Sequence, residues 1–278
     1  MKNSIVKRIH KRILNPFRYR LSCIHLLQTF PLFAASSAGR YKAKAPLVIQ
    51  AINQIVPLLR ELSTMGSDSR EVKPQSSDVF VDGSIISYDK VFQVKQLFNS
   101  YGTEKPHPLY ALYLHILSDS KSINNIFEIG IGTNNLDVVS SMGTVGVPGA
   151  SLRAFRDLCP NAQIIGGDID PRIMFEEDRI RTCILDQTDL VGMQIELEKF
   201  GVLFDLFIDD GLHAPNANLA SLIVGLKFTK KGGWVVIEDI PERALDFWQL
   251  VSNILPSQYD VSIFHSTFGG YIFCVQKN

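Results

Sequence analysis

The 278 residues balance 28 Lys and Arg against 28 Asp and Glu, with 46% hydrophobic and 20% charged residues. That composition fits a soluble α/β domain with an appendage and excludes a disordered or collagen-like chain. The zero net charge conceals an uneven layout. Residues 1–46 hold ten basic residues (Lys2, Lys7, Arg8, Lys11, Arg12, Arg18, Arg20, Arg40, Lys42, Lys44) and no acid, so the remainder is acidic. An acidic body without a basic and aromatic track argues against a nucleic-acid partner. Cys23, Cys159, Cys183 and Cys274 show no metal-ligand spacing, and three of them sit in apolar stretches. Buried thiols in a reducing, cytoplasmic setting are expected.

The first 45 residues form a basic arm. Its start, Met1 to Arg20, precedes a mildly apolar stretch from Leu21 to Ala38 with the outline of a signal peptide. His25, Gln28, Thr29 and Pro31 interrupt that stretch, which is too polar for a membrane span. Three readings stay open: an arm that contacts an anionic membrane surface or a partner, a plain helical extension, and a processed segment that includes organelle targeting. Residues 46–90 read as a helix, Pro46–Thr64 with a kink at Pro57, followed by a polar linker, Gly66–Ser87.

The main domain is expected over residues 91–278. Two short helices, Val91–Ser100 and Pro108–Ser118, lead into a strand–helix alternation. Strands are predicted at Asn125–Ile131, Gln163–Asp168, Ile180–Asp186, Phe204–Asp209 and Gly233–Glu238. Helices are predicted at Ala150–Leu158, Asp189–Phe200, Pro215–Phe228 and Glu242–Leu255. Strands apolar on both faces and separated by helices indicate a parallel sheet covered on both sides. Tyr259–His265 and Tyr271–Gln276, around Gly269-Gly270, read as a closing hairpin.

The chemistry-bearing residues fall at the carboxyl ends of these strands, where open α/β sheets bind ligands. Glu128, Gly130 and Gly132 follow the first strand. Position 135 is Asn, so the third glycine of a dinucleotide fingerprint is missing. The segment resembles instead the E/D-x-G-x-G loop of class I S-adenosylmethionine (SAM)-dependent methyltransferases. That resemblance implies a Rossmann-like, mostly parallel seven-stranded sheet with an antiparallel last strand. It also implies that Asp168 accepts the ribose hydroxyls and that Asp186 with Gln187 recognises adenine.

Asp209-Asp210-Gly211-Leu212-His213 ends the fourth strand and Glu238-Asp239 the fifth. Neighbouring parallel strands place their ends side by side, so Asp210, Glu238 and Asp239 converge as hard oxygen donors suited to Mg²⁺ or a similar divalent cation. Without a cation such crowding raises at least one carboxylate pKa, and the sequence shows no evident basic partner beside them.

The I-D-D-G-x-H and I-E-D motifs, with Pro148–Arg153 and Gly166–Asp170, resemble the metal-dependent sugar O-methyltransferases of the macrocin and mycinamicin type over about residues 98–278. That resemblance implies Asp210, Glu238 and Asp239 as metal ligands and His213 as general base. It places Asp209 behind them or close to SAM. Tyr101-Gly102-Thr103-Glu104-Lys105 resembles a segment that precedes the cofactor domain in some of these enzymes. Thr103 or Lys105 then reaches the cofactor's carboxylate; the alternative is a turn between two helices.

Leu212 departs from the relatives' pattern, and the long loop Thr133–Val147 reads as a lid or substrate loop. The expected function is SAM- and Mg²⁺-dependent O-methylation of a sugar or glycosylated metabolite by a homo-oligomeric enzyme. The alternatives are a non-sugar acceptor, a hydroxylase-like activity, and a non-catalytic protein on the same scaffold.

Overall fold

The computed structural model describes residues 41–66, 70–76, 79–82, 86–103, 105, 107–266 and 270–278. The basic arm up to residue 40 lies outside them, as do Glu104 and Gly269. Among the described residues, four helices precede the sheet: α1 (Tyr41–Ser63), the one-turn α2 (Val79–Asp82), α3 (Tyr88–Ser100) and α4 (His107–Ile116). The alternation that follows is β1 (Asn125–Ile129), α5 (Ala150–Leu158), β2 (Gln163–Asp168), β3 (Glu176–Glu177), β4 (Ile180–Ile184), α6 (Leu190–Glu198), β5 (Phe204–Asp209), α7 (Pro215–Phe228) and β6 (Thr229–Ile240). The chain closes with α8 (Leu245–Ile254), β7 (Tyr259–His265) and β8 (Tyr271–Lys277).

The strands order as β3-β4-β2-β1-β5-β6-β8-β7. β4, β2, β1, β5 and β6 are mutually parallel, and β8 runs antiparallel to both its neighbours, as the resemblance implied. The sheet has eight strands rather than the expected seven. The extra one, β3, is a two-residue antiparallel edge formed by two exposed acids, which leave no apolar signature. Arg179, at φ 57, turns the chain between β3 and β4, and its guanidinium is held by the carbonyls of Arg156, Cys159 and Ala162.

The central strands are buried along nearly their whole length, β5 completely. Runs without polar alternation need helices on both faces. One face packs α7 and α8 with Leu58 and Leu62 of α1. The other packs α3, α4 and α5 through Phe98, Tyr110, Tyr113 and Phe155, whose rings meet edge to face. Local chemistry sets several helix starts: Pro215 opens α7, and the Asp189 side chain caps α6 through Gly192 N.

Residues 46–90 are tied to this body. Val48 of α1 packs on Ala214 and Ala217. Gln75 bridges to β7 by backbone hydrogen bonds with Ile263 and His265, and Arg70 donates to the carbonyls of Leu255 and Tyr259. The stretch expected to be a linker is thus partly pinned to the sheet edge. Cys159, Cys183 and Cys274 are buried and unpaired, as their apolar surroundings suggested. No helix among the described residues is long and apolar enough to cross a membrane.

Candidate active site

At the end of β1 the chain turns through Gly130 (φ 86) and Gly132 (φ 82). A side chain at Gly130 would run into the Asp210 carbonyl, because the turns after β1 and β5 are in contact and Asp210 N donates to the Ile129 carbonyl at 2.9 Å. Glycine is therefore required there for both its φ and the close approach. Asp168, at the end of β2, receives Ile131 N at 3.1 Å and Asp170 N at 3.0 Å. Burial pushes its pKa up, and these backbone N–H groups act against that rise.

Asp170 fastens the long loop. It accepts from Arg172 Nε at 2.6 Å, Thr133 Oγ1 at 2.6 Å and Asn135 Nδ2 at 2.8 Å. Arg172 also reaches Asp137 of the same loop. The Arg172 guanidinium, with Thr133 and Asn135, holds the Asp170 carboxyl well below the ordinary range despite its burial.

Around these groups lies a cavity of about 490 Å³, within the range of about 300–1,000 Å³ typical of small-molecule sites. Its walls include Gly130, Asp168, Asp186 and Gln187 from the strand ends and Asp137 to Ser140 from the loop. Leu47 and Gln50 of α1 close it from above, where Gln50 Nε2 donates to Thr188 Oγ1 at 2.9 Å. The sequence reading had no role for α1 here.

The Gln187 amide points away into the protein. It donates to Asp209 Oδ1 at 2.6 Å and Ser221 Oγ at 2.9 Å, and its oxygen receives Leu212 N at 2.8 Å. Asp209 is fully buried, receives Asn218 Nδ2 at 2.9 Å, and is absent from the lining of this cavity. It lies beneath the turn after β5, held among Gln187, Asn218 and Gly211. Together Gln187 and Asp209 brace the turn at Gly211-Leu212, so Gln187 contributes to the cavity as a wall, with its amide already committed. Leu212 faces this larger cavity and α1.

A second cavity of about 230 Å³ shares Gly130, Ser140, Asp168 and Gly211 with the first. It is lined by Gly132, Ser140, Ser141, Met142, Asp210, His213 and Asp239. His213 Nε2 lies 3.8 Å from Asp210 Oδ1 and 3.6 Å from Asp239 Oδ2. Among the described residues only three non-glycines have positive φ, and two are His213 (52°) and Asp239 (55°). Such strain persists where surrounding structure enforces it, and it concentrates at functional sites. At Asp239 the enforcing feature is a register shift between β6 and β8 from Ile237 to Ile240, an irregularity that re-aims side chains.

Glu238 turns the other way. It is buried behind the cavity with Glu128 and Lys105. Lys105 Nζ lies 2.8 Å from Asp210 Oδ2, 2.9 and 3.0 Å from the two Glu238 oxygens, and 3.3 Å from Glu128 Oε1. The Tyr113 hydroxyl donates to Glu238 Oε1, and Ser151 Oγ donates to Glu128 Oε2 at 2.5 Å.

The geometry departs from three expectations. The carboxylates do have a basic partner, distant in sequence, and Lys105 faces them rather than a cofactor carboxylate. Neither Thr103, Lys105 nor Glu128 lines either cavity. The three carboxylates expected to converge divide instead into two groups, Asp210–His213–Asp239 and Glu128–Asp210–Glu238, each with ligand atoms within 4.8 Å of one another. Tyr113 and Ser151 were not recognised as site residues, since a tyrosine in an apolar helix and a serine at a helix start carry no distinguishing signal.

Burial and the Asp210 charge push the Asp239 pKa up, against His213 and Lys105. Glu238 is pushed well up by burial and by Asp210 and Asp239, against Lys105. Burial opposes the Lys105 ammonium, yet Asp210, Glu238 and Glu128 outweigh it and keep the group charged. The outer group suits a divalent cation. It offers two carboxylates facing a cavity, with the His213 imidazole beside them and its buried Nδ1 without a partner.

No family model matches the chain. The chain is 38% identical over 93 residues to the mycinamicin VI 2''-O-methyltransferase of Micromonospora griseorubida. It is 34% identical over 92 residues to the 8-demethyl-8-(2-methoxy-α-L-rhamnosyl)-tetracenomycin-C 3'-O-methyltransferase of Streptomyces olivaceus. Each match covers 33% of this chain and 23% of the relative, so the match spans about a quarter of the relatives' length. Among solved structures, the MycE methyltransferase of the mycinamycin biosynthetic pathway, in complex with Mg, SAH and mycinamycin VI, superposes with a TM-score of 0.51 at 21% identity. That superposition covers 66% of this chain and 54% of MycE. The chain has the class I methyltransferase fold. Within it, the larger cavity occupies the carboxyl edge of β1, β2 and β4 and the smaller one that of β5 and β6.

Proposed function

We propose that the chain is a SAM- and divalent-cation-dependent O-methyltransferase that acts on a hydroxyl of a sugar or glycosylated small molecule. One observation carries the reading: a cofactor-sized cavity shares Gly130, Ser140, Asp168 and Gly211 with a smaller one that adds Asp210, Asp239 and His213. The similarity to sugar O-methyltransferases supports the same choice of acceptor.

When bound, SAM supplies an electrophilic methyl group and the cation a Lewis acid that polarises an acceptor hydroxyl. Gly130 and Gly132 let the backbone approach the cofactor, and Asp168 meets the ribose hydroxyls. Asp210 and Asp239 would hold the cation at the mouth of the smaller cavity. Methylation of an alcohol releases one proton, and His213 Nε2 is the base that faces the reacting volume. The loop that carries Ser140, Ser141 and Met142 lines both cavities.

The test is methyl transfer from labelled SAM to a panel of glycosides with vicinal diols, run with Mg²⁺ and with chelator. Product that forms only with Mg²⁺ is expected. Product that forms equally in chelator removes the cation from the reading, and transfer to none of the diols while a phenolic acceptor is methylated removes the sugar.

A further inference from the structure

We propose that Lys105 is a built-in cation of this site, whose ammonium takes the centre of the Glu128–Asp210–Glu238 group and confines any divalent ion to the outer Asp210–His213–Asp239 group. The inner half of this statement stands on the geometry alone; the outer half rests on the function proposed above.

The two groups share one residue. Asp210 presents Oδ2 to Lys105 at 2.8 Å and Oδ1 toward His213, so one carboxylate links an inner cation position to an outer one. Paired-metal sites use bridging carboxylates in this way, with ions about 3.5–4 Å apart. Here the inner position is filled by the chain itself. The Lys105 side chain is 3% exposed, and its backbone N is fixed by the Tyr110 hydroxyl at 2.9 Å. Tyr113, one turn further along the same helix, holds Glu238. Like charges cannot share so small and dry a space, so an ammonium there excludes a divalent ion.

Glu238 then has a different role from the one its place in the I-E-D motif implies. Both its oxygens contact Nζ, one also accepts from Tyr113, and it lines neither cavity. It anchors Lys105 and leaves the ion to Asp210 and Asp239. Glu128 Oε1, buried without a hydrogen-bond donor, faces the same ammonium at 3.3 Å. Removal of the ammonium leaves three carboxylates around a vacated centre, which is a site for a divalent ion.

The experiment counts Mn²⁺ bound per chain by calorimetry, and records melting temperature with and without Mn²⁺, for the full-length wild type and Lys105→Ala. The variant is expected to take up one more ion than the wild type, and its melting temperature to rise with Mn²⁺ by at least about 5 °C more. A count of one rising to two supports both the proposal and the outer ion. A count of zero rising to one supports the proposal while it refutes the outer ion. Equal counts with equal Mn²⁺ response overturn the proposal. A variant that folds only in Mn²⁺ is the expected result in its strongest form. Should the variant fold in neither condition, Glu238→Gln with Lys105 retained decides. Ion affinity within about threefold of wild type supports the anchor role, and a tenfold or larger loss makes Glu238 a ligand and overturns it.

Discussion

The two halves of the sheet's carboxyl edge solve the same problem of clustered acids in opposite ways. At the ends of β2 and β4, each acid is met by donors of the chain itself: Asp168 by two backbone N–H groups, Asp170 by Arg172, Thr133 and Asn135, Asp186 by the backbone and hydroxyl of Thr188. In the β5–β6 half, Asp210 and Glu238 share the Lys105 ammonium, Asp239 has only the His213 imidazole beside it, and the pKa values of Glu238 and Asp239 are driven up. The first half is a cradle whose acids are held in place and can still accept a ligand's hydroxyls. The second holds surplus negative charge and backbone strain, an arrangement that favours a bound cation and costs stability without one.

If the halves are separable in this way, substitutions should divide by the half they touch. The largest effect is expected at His213. His213→Ala should lower the methyl-transfer rate by about 10²–10⁴-fold in single-turnover assays, while SAM affinity stays within about threefold. A parallel collapse of SAM binding would show that the β5–β6 half also shapes the cradle. Asp168→Ala should do the reverse: SAM binding weakened by about 10–100-fold, the equivalent of one or two charge-assisted hydrogen bonds, with Mn²⁺ affinity unchanged by titration.

Gly130→Ala breaks the comparison, because Gly130 touches Asp210 across the two halves. With φ at 86° and the Asp210 carbonyl in the way, unfolding free energy should fall by about 1–3 kcal/mol in denaturant titrations, and both ligands should bind less well.

The smallest effect is at the loop latch. Asp170→Asn should lower the melting temperature by about 2–4 °C. The folded pKa of Asp170 is depressed below its ordinary 3.8, so its stabilisation is present above that value and lost as pH falls through the folded one. The wild-type and variant melting curves should therefore stay apart from about pH 8 to pH 5 and converge only in stronger acid.

What was legible in the sequence follows the same division. Ala150–Leu158, Gln163–Asp168, Phe204–Asp209, Pro215–Phe228 and Tyr259–His265 occur with the predicted limits, since each is an apolar run bounded by glycine, proline or a polar residue. The strand-end positions of Gly130, Asp168, Asp210 and Asp239 were readable because a parallel sheet converts sequence order into spatial neighbours. What escaped were contacts that no periodicity encodes. Lys105 meets Glu238 across 133 residues, and Gln50 meets Thr188 across 138. The opposed aim of Glu238 and Asp239 depends on a strand irregularity and a positive φ. Adjacent acids in a sequence suggested one site, and the backbone between them makes two.

The measurement that bears most directly on the account is calorimetric titration of SAM into the wild type and Asp168→Ala, each with Mg²⁺ and with chelator. The account predicts saturable one-site binding to the wild type in both buffers and weakening by Asp168→Ala of at least tenfold, a charge-assisted hydrogen bond's worth. No binding to the wild type, or equal binding to both proteins, would contradict the assignment of the larger cavity to the cofactor.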